Sequence, residues 1–201
     1  MADVPPAPGL ESKSARRVDP GRRSRIVDAC LRVIASDGVA GVTHRKVAAE
    51  ADVPLGSMTY HFDGMADLLH TAFTRYADRM AAQLDGHFAR AHSTEAAAEV
   101  VVSLISGSAS ADAGDTILAH ELYTLAARDP SHRLITERWM SRTRATLERH
   151  FDPLTARLLD AFMEGMSIHI QLDREPRDAD DVREAIRRIT SLPASRPRSS
   201  E

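Results

Sequence analysis

The stretch Val42–Phe62, VTHRKVAAEADVPLGSMTYHF, packs a helix start, a short apolar-faced helix, a tight break and a second short helix into 21 residues. Thr43 stands where an N-cap belongs, with a hydroxyl able to accept from a free backbone N–H two or three residues on. Val47, Ala48 and Ala51 recur at three- and four-residue spacing, so one narrow face is apolar and small enough for close packing. Asp52-Val53-Pro54 breaks the run, because proline disfavours helical geometry in the residue before it and suits the first turn of the helix that follows. The second helix, about 54–61, is expected to bury Met58 and Phe62 and to turn Leu55, Ser57, Thr59, Tyr60 and His61 toward other partners. Two short helices at a steep angle, joined by a three- to four-residue turn, form the unit that places a helix in the major groove of DNA.

Upstream, Ile26, Ala29, Cys30, Val33 and Ile34 make an amphipathic first helix, closed by Gly38 as its C′ residue. Three short helices sharing one small core is the architecture implied for residues 21–64. Charge supports a polyanionic partner only when it is read locally. The whole chain has a net charge of −3, yet residues 1–62 hold nine Lys+Arg against seven Asp+Glu, and residues 63–201 hold 17 Arg against 22 acids. Between residues 12 and 25, Lys13, Arg16, Arg17, Arg22, Arg23 and Arg25 oppose only Asp19. That is the local positive field phosphate binding needs.

Residues 1–20, rich in Pro, Ala and Ser and then Arg, read as a flexible basic arm. It is either a solvated tail or a segment whose Arg16 and Arg17 reach a phosphate or the minor groove. A long helix over about 64–87 follows the 42–62 unit, with Met65, Leu68, Leu69, Ala72, Phe73, Tyr76 and Met80 at helical spacing. Further helices are expected near 93–108, 115–128, 131–150, 153–172 and 178–190, and residues 191–201 read as a disordered tail. Ser93 opens one of these helices, Asp115 is expected to cap the next, and Asp129-Pro130-Ser131 supplies either Asp129 or Ser131 as a cap; Asp152-Pro153 repeats the device. Strand signals are nearly absent. The fold expected is therefore all-α, with residues 65–190 forming the larger, regulatory and dimerising part.

The chain resembles the TetR family of bacterial transcriptional repressors. The likeness rests on the first helix IVDACLRVIASDG (26–38), Thr43 at the cap, VAAEADV (47–53), GSMTYHF (56–62) and the following apolar start MADLL (65–69). Two positions depart from the family: Asp52 stands where a turn glycine is usual, and Met65 where a phosphate-binding lysine is common. Asp52 suits its place because aspartate visits left-handed backbone geometry more readily than most residues. The resemblance implies a sequence-specific regulator, most simply a homodimeric repressor that a small molecule releases from a palindromic or near-palindromic operator in double-stranded DNA. It puts Leu55, Gly56, Ser57, Thr59, Tyr60 and His61 at bases or phosphates, with Gly56 allowing close backbone approach and Thr59 meeting a thymine methyl or a base acceptor. Thr43, His44, Arg45 and Lys46 lie at or near the other helix start, and Arg22 and Arg25 in the basic cluster, where cationic side chains favour phosphate. Tyr60 and His61 have a second reading, as packing against the helix that begins near Met65.

The family likeness also implies dimerisation through a four-helix bundle, two late helices from each subunit. The 131–150 and 153–172 pair fits, because Leu154, Leu158, Leu159, Ala161, Phe162, Met163, Met166, Ile168 and Ile170 surround most of the latter helix, which must then be covered on more than one side. Met140, Leu147, Leu158, Phe162, Gly165 and Met166 are the expected interface residues. A ligand pocket is implied among Phe73, Tyr76, His120, Tyr123, Trp139, Met163, Met166 and His169, although such stripes are also ordinary core.

Composition excludes several classes. With 43% hydrophobic residues in 201, the chain can bury one full core and a smaller second one. No run of 18 apolar residues exists to cross a membrane, and the N-terminus lacks the apolar stretch of a secretory signal. The one cysteine, Cys30, allows no internal disulfide, reads as a core residue and suits a cytoplasmic protein. His120-Glu121 lacks a second histidine four residues after the first, and the other histidines show no ligand spacing, so no metal or other cofactor is expected beyond an unidentified small-molecule effector. An all-helical enzyme would need a nucleophile–base pair or a phosphate loop, and no GxSxG, Walker-type or GxGxxG pattern occurs. A helical interaction adaptor without DNA binding leaves the hydroxyl-rich, basic 42–62 unit unexplained.

Overall fold

The computed structural model describes residues 19–106, 113–173 and 178–191. Among them all regular structure is helical: α1 (Arg22–Asp37), a single 3₁₀ turn (Val39–Gly41), α2 (His44–Glu50), α3 (Gly56–His61), α4 (Gly64–Phe88), α5 (Thr94–Ile105), α6 (Ala113–Ala126), α7 (Pro130–Leu147), α8 (Pro153–Leu172) and α9 (Ala179–Thr190). The expected arm with Arg16 and Arg17 and nearly all of the expected tail lie outside the described residues.

The helix starts follow local chemistry. The Thr43 hydroxyl accepts from Lys46 N–H at 3.2 Å and Ser93 from Ala96 N–H at 3.2 Å. Asp129, not Ser131, caps α7 by accepting from Ser131 N–H at 2.8 Å. Asp152 caps α8 by accepting from Leu154 and Thr155 N–H at 3.0 and 3.2 Å. Pro130 and Pro153 fill first-turn positions, where a missing N–H costs nothing. Asp115 differs from expectation: α6 begins at Ala113, so Asp115 lies inside its first turn, where its carboxylate meets Arg79. Its backbone carbonyl accepts the Tyr76 hydroxyl at 2.6 Å.

Two apolar cores hang on one long helix. The larger joins Ile26, Cys30 and Ile34 of α1 to Val47, Met58 and Phe62, then runs on through Leu68, Phe73 and Tyr76 of α4 to Leu118 and Leu122 of α6 and Ile135 of α7. The short N-terminal helices therefore do not close a core of their own. The smaller cluster holds Phe88, Val101, Ile105, Leu147, Ala156, Leu159, Val182 and Ile186. Each fully buried leucine, isoleucine or phenylalanine here contributes about 1.5–3 kcal/mol of transfer free energy. α4 spans 25 residues, about 38 Å at 1.5 Å per residue, and feeds both clusters. Arg75 of α4 reinforces this link by donating to Ser24 Oγ at 2.7 Å, Ser24 C=O at 3.1 Å and Asp28 at 2.8 Å, all on α1.

Candidate nucleic-acid interface and inner site

The turn between α2 and α3 is built as the sequence implies. Val53 N–H donates to Ala48 C=O at 3.0 Å and Ser57 N–H to Pro54 C=O at 2.8 Å. Asp52 takes φ 52°, the left-handed geometry for which a glycine is the easier residue. α3 begins at Gly56, later than the expected 54, and its rotation is set by Met58 and Phe62, both buried in the larger core. That rotation leaves Leu55 50% and Tyr60 78% exposed, with Gly56 and Thr59 on the surface beside them. The space where a Gly56 Cβ would stand has no atom within 4 Å. Ser57 corrects the sequence reading: next to Met58 on a six-residue helix, it is carried inward and is only 8% exposed. His61 is partly buried, and its ring meets Tyr60 edge-on at 4.8 Å.

Around α2, Thr43 and Arg45 are exposed, and Arg45 has no partner among the described residues. His44 is partly buried, with an Nε2 that is buried and unpaired. Lys46 is paired with Asp37 at 2.6 Å and Arg25 with Asp19 at 2.7 Å. The two cations hold these carboxyls below their usual range. Arg22 is partly buried. Arg23, to which the sequence assigned no partner, lies over the Phe62 ring at 4.9 Å and donates to Thr71 at 3.4 Å. Met65 packs against the larger core, and the Asp67 carboxylate accepts Asp63 N–H at 3.0 Å, closing the start of α4.

The pocket candidates divide into three groups. Tyr76, Tyr123 and Trp139 come together: Tyr123 and Trp139 stack at 5.9 Å between ring centroids, 11° from parallel, and Tyr76 meets Trp139 edge-on at 5.5 Å. Phe73 is fully buried in the larger core with its ring edge-on to His132, while Met163 and Met166 pack on the smaller core. His120 is partly buried with an unpaired Nε2, and His169 is exposed, so it is not brought to the aromatic group.

Two acids missing from the sequence reading stand beside these rings. The Tyr123 hydroxyl donates to Glu164 at 2.6 Å, and Arg144 sits 3.5 Å from the buried Asp160. Burial pushes both carboxyls above their usual range and raises the Tyr76 and Tyr123 phenols as well. Their signal in the sequence is a pair of acids four residues apart within the apolar run LLDAFMEGM (158–166). Cys30 is buried in the core as expected, its thiol pushed up to about 12.

Of the expected interface residues, Leu158 is 37% exposed, and Phe162, Met166 and Met140 are partly buried. Leu147 is a correction: it is wholly buried in the smaller core of its own chain and has no surface to give a partner. What α8 does expose is Leu154, Leu158, Ala161, Ile168 and Leu172, which with the half-buried Gly165 make a stripe at alternating four- and three-residue steps. Leu172 is 74% exposed, and nothing lies within 4 Å of where a Gly165 Cβ would stand. No helix among the described residues is long and apolar enough to cross a membrane, and no group of three or more metal-ligating side chains occurs among them.

A helix-turn-helix joined by one long helix to a larger helical body defines the class of helical transcriptional regulators with separate reading and regulatory parts. Residues 26–72 match the family described as bacterial regulatory proteins, tetR family, and residues 92–192 match the tetracyclin repressor-like C-terminal domain. The chain belongs to the TetR family. Among solved structures it is similar to the transcriptional regulator SCO7518 of Streptomyces coelicolor A3(2), at 48% identity and a TM-score of 0.80 over 86% of this chain and 100% of that one. It is also similar to the multidrug binding protein EbrR in complex with imidazole, at 35% identity and a TM-score of 0.69 over 88% of this chain and 99% of that one. The repressor KstR of Mycolicibacterium smegmatis is 35% identical over 75 residues, so the match spans 37% of each chain.

Proposed function

We propose that this chain is a homodimeric repressor that holds a palindromic or near-palindromic operator through α2 and α3 and leaves it when a small molecule enters the helical body. The carrying observation is the outward face of α3, where Tyr60 stands 78% exposed between two residues' worth of buried anchor, Met58 and Phe62. A fold that pins a short helix so firmly and leaves its tyrosine in water offers that ring to a partner. Thr59 and Tyr60 then read base edges, Leu55 packs on a base or sugar, Gly56 lets the backbone approach, and His61 meets a phosphate. Arg45 and Thr43, with His44, Lys46, Arg22 and Arg25, hold the phosphate backbone. The pairs Lys46–Asp37 and Arg25–Asp19 are exposed, and such pairs contribute about 0–1 kcal/mol, so a phosphate can replace the acid at little cost.

The α8 stripe supports dimerisation. Its four-three spacing is that of a helix–helix seam, and Ala161 with Gly165 at its middle allows two α8 helices to cross closely. A two-fold dimer reads two half-sites about 34–36 Å apart, one helical turn of DNA. EbrR is a multidrug binding protein whose complexes hold organic molecules from imidazole to malachite green, which supports a small organic effector here. The relatives are named as regulators, which supports a regulatory rather than an enzymatic role, and a DNA-bound role fits a cytoplasmic protein. Selection of bound fragments from random duplex DNA tests the reading. Inverted half-sites and a log–log salt slope of several units are expected; a slope near zero overturns it.

A further inference from the structure

Little holds α3 in place. It has six residues, well short of the roughly 12–15 that a helix needs to persist alone, so its roll is set by what it packs against. Met58 is wholly buried and Phe62 is 4% exposed, and apolar burial of this kind is non-directional. Among the described residues no side-chain hydrogen bond or ion pair joins α3 to another helix. The Thr59 hydroxyl donates at 3.3 Å to Gly56 C=O, within α3 itself.

A directional contact reaches its end. The Arg23 guanidinium of α1 lies over the Phe62 ring at 4.9 Å, inside the roughly 6 Å over which a ring face attracts a cation. Its Nη2 donates at 3.4 Å to Thr71 Oγ1 of α4, so one planar group touches the end of α3 and the flank of α4. The base of this side chain is fixed as well, because Arg75 donates to Oγ and C=O of the next residue, Ser24, at 2.7 and 3.1 Å. Phe62 is the C-cap of α3, extended at φ −139° and ψ 140°, and its N–H donates to Met58 C=O at 2.9 Å. Holding that ring from α1 and α4 holds the last turn of α3, where Thr59, Tyr60 and His61 stand. Arg25 is placed differently. It is exposed and paired with Asp19 at 2.7 Å, a pair that exchanges readily, whereas Arg23 gives its flat face to a ring.

We infer that Arg23 is a positioning residue for the DNA-reading helix: its guanidinium clamps Phe62 to α1 and α4 and so sets the roll at which α3 presents Thr59 and Tyr60, instead of holding a phosphate. This rests on the operator-binding reading above and divides the basic cluster within it. Arg22 and Arg25 serve the phosphate backbone, and Arg23 serves the geometry of the reading face. Its loss therefore acts on the discrimination between operator and other DNA, while the number of phosphates neutralised is unchanged.

The test compares the full-length wild type with Arg23→Ala, a change at an exposed helical position where alanine is the best helix former and α1 is left intact. Amide hydrogen exchange is measured on DNA-free protein, and binding to the selected operator and to random duplex is followed over a salt series. An exposed cation–π contact sets the scale at about two- to fivefold. Exchange over residues 58–62 should quicken by that factor in the variant and operator affinity should fall by it. Random-duplex affinity and the salt slope should keep their wild-type values. Equal losses on the two duplexes, or a slope lowered by about 1, would make Arg23 a phosphate contact and overturn the assignment. Unchanged exchange over 58–62 overturns it too. The wild type gives a check that needs no variant: the Arg23 Cδ protons should resonate upfield of those of the other arginines under the Phe62 ring current, and ordinary positions overturn the clamp. Quickened exchange in a chain that binds no duplex DNA defeats the regulator reading alone. Operator binding by a wild type with ordinary Arg23 resonances defeats the clamp alone.

Discussion

The outer face of α1–α3 and the inner face of α8 treat charge in opposite ways. Outside, the cations Lys46 and Arg25 are exposed and already matched by Asp37 and Asp19. Inside, Glu164 is partly buried with no cation paired to it among the described residues, and burial raises its carboxyl. An exposed pair contributes little and is easily exchanged, which suits the proposed contact with DNA phosphates. The two faces are joined by α4, which feeds both cores, and by Arg75, which ties α4 to α1.

The comparison can be broken most forcefully at Leu147 and Leu158, leucines that stand on neighbouring helices with different surroundings. Leu147→Ala should cost about 2–5 kcal/mol of unfolding free energy, measured by denaturant melts, because it empties a filled core position. The folded fraction should keep its oligomeric state; a shift to monomer without loss of stability would return Leu147 to the interface. Leu158→Asp should do the reverse. Sedimentation should show dissociation, with operator binding weakened on the order of 100-fold as the second half-site loses its tether, and a dimer that persists would move the seam off α8.

Glu164→Gln sharpens the inner half of the contrast. A carboxyl raised in the folded state contributes stability that is present below its ordinary value near 4.5 and lost as pH rises through the raised one. Glutamine has no such loss. The variant's melting temperature relative to wild type should therefore climb with pH above that value and level off. Asp160, Arg144, Tyr123 and His120 remain in both proteins, so their effects largely cancel; a difference that is flat with pH would show that Glu164 does not titrate there. The smallest effect belongs to Lys46→Ala, which should change stability by less than about 1 kcal/mol and lower the salt slope of DNA binding by about 1 per protomer. An unchanged slope would leave Lys46 bound to Asp37 alone.

What could be read from the chain was what neighbours in sequence decide. Thr43 capping Lys46, Gly38 closing α1, Asp52 at positive φ and the prolines after Asp129 and Asp152 all depend on contacts within a few residues. The sides of α3 were less legible. Helical spacing alone placed Ser57 with the outward group, but the burial of Met58 and Phe62 in a core shared with α1 and α4 turned it inward. Leu147 failed for the same reason at longer range, since Phe88, Ala156 and Leu159 enclose it from other helices. Glu164 was invisible because its surroundings come from Tyr123, 41 residues away. The acids spaced four apart in an apolar helix were the available hint.

The central claim, that α3 reads DNA through its exposed ring, is tested most directly by measuring Tyr60→Ala on the selected operator and on random duplex at one salt concentration. A loss of about 1–3 kcal/mol is expected on the operator and a much smaller one on random DNA. Equal losses on both would make Tyr60 a backbone contact, and no loss on either would contradict the claim.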